Sequence, residues 1–387
     1  MKIKVLNIAT ILPFPEGKNG YKLIENDFLI VLNKYLEKLG LDTEFVKVTN
    51  SSNKLLSKFN EKWAYYYNMP NEYYIEGNRI CVIRQIMFPK SKLSTLSFVL
   101  SILLKKSKFR ALGNKNYTCT HAHFLLLDGY ISYYLYKKYN IPYVLTVRDE
   151  TNIFNKLILR TIGQRILNNA SVLLTTNVVN KNKLEKFTNK DIKIITHGIE
   201  QNNLHFYPDV NKKIRITTVC KLNPGKKIDI LINALKNIKD KDYILNIIGD
   251  GPEYDYLKSI AHGVKCNFLG NLKHNEVIEH LKASDIFVLP SESESFGRVY
   301  IEALASSNAV IAVEDTGVYG LFEHDKEILY MKKNSTESLQ ELLTILLNDQ
   351  NKIRSLKING YKSIIKDFTW ESIAEKYYYI YTSLLKV

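Results

Sequence analysis

Two rhythms of apolar and polar positions alternate along this chain. Short β-branched runs, "KIKVLNIAT", "YVLTVRD", "SVLLTTN" and "IKIITHG", are separated by longer stretches of helical spacing such as "NDFLIVLNKYLEKLG" and "GYISYYLYKKYN". That repetition predicts a parallel sheet with helices on both faces. The polar stretch "HGIEQNNLHFYPDVNKK" reads as a linker, after which the rhythm restarts. "IRITTVCKLN" predicts a strand, "IDILINALKNI" a helix and "YILNIIGDGP" a strand with a glycine turn. "CNFLGNL", "NEVIEHLKAS" and "DIFVLP" follow. The pattern therefore predicts an α/β protein of two Rossmann-like halves, residues 1–205 and 206–365. A last amphipathic helix over 366–387, with Trp370 near its start, is expected to pack back on the first half.

One helical stretch, "KLSTLSFVLSILLKKSKFR", admits two readings. Ser94, Ser97, Ser101, Lys105 and Lys108 fall on one stripe, and Leu93, Leu96, Leu100 and Leu103 on another. The leucines serve either as core against the first sheet or as an interfacial face.

Composition narrows the class. The chain has 387 residues, more than one ordinary core accommodates, and 45% of them are apolar. No run approaches the roughly 18–20 apolar residues of a spanning helix. The opening "MKIKVLNIATILPFP" has a basic and then apolar start, but it lacks a small-residue cleavage pattern and is read as a first strand. Cys81, Cys119, Cys220 and Cys266 are far apart and read as reduced thiols of a cytosolic protein.

Charge is distributed unevenly. Residues 1–200 carry 30 Lys and Arg against 15 Asp and Glu, so the net charge of +15 resides there and the remainder is balanced. No carboxylate occurs between Glu76 and Asp128. The first half is therefore expected to face something anionic, a membrane or a polyanion.

The densest chemistry lies in "SESESFGRVYIEALA", residues 291–305, after the strand "DIFVLP". In an open parallel sheet ligands sit beyond the carboxyl ends of strands, where helix N-termini present unpaired N–H groups to anions. Ser295, Phe296 and Gly297 supply such a turn, with Gly297 permitting close backbone approach. A carboxylate does not bind phosphate, so Glu294 and Glu302 are assigned to hydroxyl-rich groups, a ribose or a hexose. Glu292 is read as an ordinary helix-start acid. The Asp-x-Asp pair, Asp240 and Asp242, lies in the polar turn "KDKD". His121 and His123 lack a nearby third ligand with metal spacing. They are expected to point to opposite faces of a strand, so that one of them lines the site.

"PSESESFGRVYIEALA" resembles the E-x7-E signature of family 4 retaining glycosyltransferases of the GT-B fold, and further segments fall in that family's order. "VCKLNPGKKIDILINAL" is similar to its Arg-x4-Lys donor segment, "IIGDGPE", "FLGNL" and "SDIFVLPS" to its turns, and "THAHFLLLDGY" to its His-x-His segment. "THGIE" resembles the family's "NGID", and "PEGKNGY" its glycine-bearing loop after the first strand. The resemblance implies two domains facing across a cleft and a metal-independent reaction. Lys221 and Lys226 would stabilise the departing diphosphate, His123 would contact the donor sugar, and Glu294 would act at the sugar. Gly20, Gly249, Leu272, Ser295, Phe296, Gly297, Val299 and Glu302 would surround the donor.

The chain departs from that pattern at three places. Lys221 stands for an arginine and loses its planar fork. Ser307 and Ala309 stand where the family has Gly and Pro, and "TVRDET" lacks the family's Gly-Ser-Asp, which leaves Arg148 and Asp149 without an assigned role. The expected function is transfer of a hexose, with retention, from a nucleotide diphosphate sugar to a lipid-linked or surface-polysaccharide acceptor, as in capsule or lipopolysaccharide synthesis. No cofactor, metal or nucleic acid is expected. The expected location is the cytoplasm, peripherally on the inner face of the plasma membrane. A sugar-nucleotide epimerase, a glycosidase using Glu294 and Glu302, and a non-catalytic polyanion binder are the alternatives.

Overall fold

The computed structural model describes residues 3–13, 28–52, 54–58, 61–85, 94–148, 150–238 and 241–386. The chain forms two compact units. The first comprises Met1–Thr176, Asn180–Ile195 and Ala374–Val387, and the second Asn177–Val179 and Thr196–Ile373.

The first unit is built on eight strands: β1 (Lys4–Ala9), β2 (Asp42–Asn50), β3 (Glu72–Ile75), β4 (Asn78–Gln85), β5 (Cys119–Ala122), β6 (Tyr143–Val147), β7 (Val172–Thr175) and β8 (Ile192–Ile194). Their order is β3-β4-β2-β1-β5-β6-β7-β8, parallel except for the β3–β4 hairpin. Helices α1 (Phe28–Lys38), α2 (Glu61–Asn68), α3 (Ser94–Gly113), α4 (Leu127–Tyr139), α5 (Leu157–Asn169) and α6 (Val178–Leu184) alternate with them. β6 is buried along its whole length, as expected of a strand covered on both faces.

The second unit carries β9 (Ile214–Val219), β10 (Tyr243–Ile248), β11 (Cys266–Gly270), β12 (Ile286–Val288), β13 (Ala309–Val313) and β14 (Leu329–Met331). They form one parallel sheet in the order β11-β10-β9-β12-β13-β14. Between and after them run α7 (Ile228–Lys236), α8 (Tyr254–Ile260), α9 (His274–Lys282), α10 (Arg298–Ala305), α11 (Thr336–Asn348) and α12 (Gln350–Asp367), and α13 (Trp370–Ser383) leaves the second unit and belongs to the first from Ala374 on. Ser335 and Asp349 cap α11 and α12 by accepting bonds from backbone N–H groups in the first turns.

Three expectations change here. The chain passes to the second unit at Thr196, earlier than 205, and the last helix starts at Trp370 instead of 366. The polar stretch around 205–213 is not a loose linker. His205 N–H donates to Ala305 O at 2.8 Å, and Arg354 pairs with Asp209 at 2.5 Å. Lys357, buried, bonds both Asp209 O and the buried Asp285 carboxylate. Ser307 belongs to the same strap: its hydroxyl donates to His205 O and accepts from Tyr207 N–H. Its φ of 56° lies in the left-handed region, which accounts for the glycine expected there by resemblance.

The third concerns α3. Its inward side is formed by Phe98, Ser101, Ile102 and Phe109, while Leu103 and Leu104 are exposed. The stripes read from the sequence are therefore partly inverted, because aromatic anchors set the rotation of the helix instead of the leucines. Leu93 lies outside the described residues.

Candidate active site

The carboxyl ends of β9, β10, β11 and β12 lie along one edge of the second sheet, because all are parallel. Lys221 and Lys226 follow β9, Gly249 follows β10, Leu272 follows β11, and Glu294 follows β12. A folded edge thus gathers segments that are far apart in sequence.

Local geometry fixes this edge. After β9, Asn223 Oδ1 accepts from Gly225 N–H at 3.1 Å and opens a short turn over Pro224–Lys226. Glu292 N–H then donates to Gly225 O at 2.9 Å, which ties the lysine segment to the loop after β12. Lys226 Nζ lies 2.5 Å from Glu294 Oε1, both side chains being largely buried. Lys221 is exposed and makes no ion pair among the described residues. The two lysines are therefore unequal: Lys226 is held and Lys221 is free to reach.

Glycine conformations shape the floor. Gly249 has φ +133°, and a Cβ there would sit 1.8 Å from the carbonyl oxygen of Cys220. No other residue allows β10's exit to pass so near the Lys221 segment. Gly297, φ +79°, opens α10, whose first turn carries Val299 and whose interior carries Glu302. Glu302 Oε1 meets His274 Nε2, at the start of α9, at 3.1 Å. Ser295 is exposed and Leu272 and Val299 are half-buried, whereas Phe296 turns into the core beside His197. A ligand would therefore meet Phe296 only through its backbone.

Several residues here were not singled out from the sequence. Thr316 Oγ1 accepts from Glu294 N–H at 2.6 Å, and Gly317 N–H donates to Glu294 O at 3.1 Å. Asn177 donates its side-chain amide to Ser295 O. The "DTG" turn at 315–317 was a visible signal for a tight approach, but nothing local connects Asn177 or His274 to the loop.

In the first unit, His121 and His123 do not diverge. Residues two apart on a strand return to the same side, and the two rings stack with centroids 3.9 Å apart. His121 bonds Tyr381 Oη at 2.7 Å through Nδ1 and Thr146 Oγ1 at 2.8 Å through Nε2. His123 Nε2 donates to Asn7 Oδ1 at 3.2 Å, while its buried Nδ1 has no hydrogen-bond partner. Burial, then the nearby Arg148, lowers the His121 pKa to about 3, and His123 is likewise held well below the ordinary imidazole value. Both are neutral at pH 7. Asp128, also buried, takes both Thr10 N–H and Thr10 Oγ1–H at 2.9 Å and fixes the exit of β1. Gly20 and Asp149 lie outside the described residues, as does Asp240. Asp242 pairs loosely with Lys213 and Lys265 at the surface. Among the described residues no group of three His, Cys, Asp or Glu is arranged to hold a metal.

Residues 201–363 match the family described as Glycosyl transferases group 1. An uncharacterized glycosyltransferase of Methanocaldococcus jannaschii is 28% identical over 258 residues, 65% of this chain and 71% of the relative. A putative teichuronic acid biosynthesis glycosyltransferase of Bacillus subtilis is 29% identical over 245 residues, 59% of this chain and 61% of the relative. The fold is similar to that of sucrose-phosphate synthase from Thermosynechococcus elongatus, with TM-score 0.70 and 18% identity over the whole of both chains. The chain thus has the GT-B fold, with two parallel-sheet units, and over residues 201–363 of the second it is similar to the family described as Glycosyl transferases group 1.

Proposed function

We propose that this chain is a retaining, metal-independent hexosyltransferase that uses a nucleotide diphosphate sugar and a lipid-linked or surface-polysaccharide acceptor. The observation that carries the reading is the Lys226–Glu294 pair at the carboxyl edge of the second sheet, beside the left-handed Gly297. A diphosphate seated there meets the N-terminus of α10 and the ammonium groups of Lys226 and Lys221. Glu302 takes ribose hydroxyls, and Glu294 takes hydroxyls of the sugar.

In the reaction, the bond from the sugar's anomeric carbon to the diphosphate oxygen breaks, and the acceptor oxygen bonds to the same face. The acceptor's proton passes to the departing diphosphate oxygen. Charge develops on that oxygen, where the two lysines stabilise it. Neutral His123 serves the sugar as a hydrogen-bonding group. The relative assigned to teichuronic acid biosynthesis supports a surface-polymer acceptor. The basic first half supports work at the inner face of a membrane, although no described helix is long and apolar enough to cross one.

The test is incubation of the purified chain with UDP- and GDP-hexoses, with and without glycan acceptors. Acceptor-dependent release of nucleoside diphosphate, with an α-linked product from an α-linked donor and no loss in EDTA, is expected. Interconversion of the sugar nucleotide without acceptor would make it an epimerase, and an inverted product or metal-dependent turnover would overturn the corresponding part of the scheme.

A further inference from the structure

α3, α4 and α5 of the first unit pack side by side, sharing a core that includes Phe98, Ile102, Ile131, Leu135 and Leu159. Their outer surface is not that of an ordinary solvated layer. Leu103 and Leu104 of α3 are 55% and 63% exposed, and Leu157 and Ile158 at the start of α5 are 80% and 57% exposed. A groove of about 300 Å³ between the helices is lined by Leu103, Tyr133, Ile162 and Arg165, among others. Ile158, Ile162 and Arg165 follow one another at helical spacing, so the exposed end of α5 continues the face that meets Leu103.

The charge around these aliphatics has one sign. Neither α3 nor α5 contains a carboxylate. Lys105, Lys106, Lys108 and Arg110 on α3, and Arg160 and Arg165 on α5, form no ion pair with a described residue. Lys108 is held below its ordinary pKa by partial burial and then by Lys105 and Arg84, a sign of crowded cations. A second copy of the chain would bring this surface against its own positive charge if it docked symmetrically. An anionic bilayer offers what both components need: phosphates for the cations and hydrocarbon for the four aliphatics.

We infer that Leu103, Leu104, Leu157 and Ile158 form a shallow anchor that inserts into an anionic lipid surface, with the surrounding lysines and arginines at the headgroups. This rests on the reading that the basic first half faces a membrane, but it adds a non-electrostatic component with named residues. A purely electrostatic attachment would dissolve completely in salt, because screening acts within about 8–10 Å at physiological ionic strength. An inserted anchor leaves a salt-resistant fraction.

The experiment is co-sedimentation of the full chain with vesicles of phosphatidylcholine alone or mixed with phosphatidylglycerol, across a salt series. The wild type should bind the phosphatidylglycerol vesicles and keep part of that binding at high salt. Changing Leu103→Ser, Leu104→Ser, Leu157→Ser and Ile158→Ser together should lower the high-salt binding by about tenfold or more while sparing the low-salt component. Changing Lys105, Lys106, Lys108 and Arg110 to Gln should do the reverse. Thermal unfolding and turnover on a soluble acceptor serve as controls, since the changed side chains are exposed apart from the half-buried Lys105. Equal high-salt binding by wild type and the serine variant would overturn the anchor and leave the membrane reading standing. No vesicle binding by the wild type at any salt would overturn both. Concentration-dependent self-association abolished by the serine changes, or binding only to soluble polyanions, would also overturn the anchor.

Discussion

Lys226 and Glu294 neutralise each other across 2.5 Å although 68 residues separate them in the chain. The pairing keeps both side chains extended toward the same point. An incoming diphosphate would take over the ammonium and release the carboxylate for sugar hydroxyls, so each group is prepared by the other. Lys226→Ala should therefore lower kcat by about 10²–10³. Stability should also fall, by about 1–3 kcal/mol, because the largely buried Glu294 is left without its cation. Steady-state kinetics with a matched thermal melt checks this, and an unchanged kcat would remove Lys226 from the chemistry.

Glu302 and His274 form the second paired contact, at 3.1 Å. Loss of the carboxylate removes a charged acceptor, which should weaken binding of the free nucleoside diphosphate by about 10- to 100-fold. His274→Ala should weaken it less, since it leaves the acceptor present but less fixed. Titration calorimetry of both variants reports the order, and wild-type affinity in Glu302→Ala would cancel the ribose assignment.

The legibility of these pairs in the sequence was uneven. The strands and the E-x7-E segment were plain, because periodicity of two and a glycine turn are local signals. Lys226 and Glu294 were found as separate members of a pattern, and their contact was not visible until β9 and β12 became neighbours. His274, Thr316 and Asn177 carried no local signal, since hydrogen bonds to a distant loop leave none. The histidines were misread through strand geometry: two apart means same side, and the stack of His121 on His123 follows. The rotation of α3 was misread because Phe98 and Phe109 outweigh the leucines in buried area.

Gly249 gives a prediction about architecture. A side chain there would meet the Cys220 backbone at 1.8 Å while holding φ at +133°. Gly249→Ala should cost at least about 2 kcal/mol of stability and also lower donor affinity, because relief of the clash displaces the segment carrying Lys221. Denaturant unfolding and nucleotide titration measure the two effects. A variant as stable as wild type would show that this approach is not required.

His121 supplies a pH dependence. Its pKa is lowered from 6.5 to about 3 in the folded chain, so the unfolded state takes up a proton between those values and the folded state does not. The stability it contributes is present above pH 6.5 and is lost as pH falls toward 3, at up to about 1.4 kcal/mol per pH unit. Buried Asp128, its pKa raised to about 7, acts in the opposite direction: its contribution is present at low pH and lost as pH rises through 7. The informative quantity is therefore the difference between wild type and His121→Asn, which should shrink as pH is lowered from 6.5 to 4.5. A pH-independent difference would contradict the buried neutral imidazole.

Tyr377 and Tyr381, fully buried in the first unit, come from the far end of the chain. During synthesis, the segment that completes the second unit emerges before the one that completes the first. A ribosome-bound nascent chain arrested just beyond Ile373 would thus hold a finished later half and an earlier half still missing the phenol that meets His121. The order of maturation would run opposite to the order of translation, and the histidine pair would be assembled last.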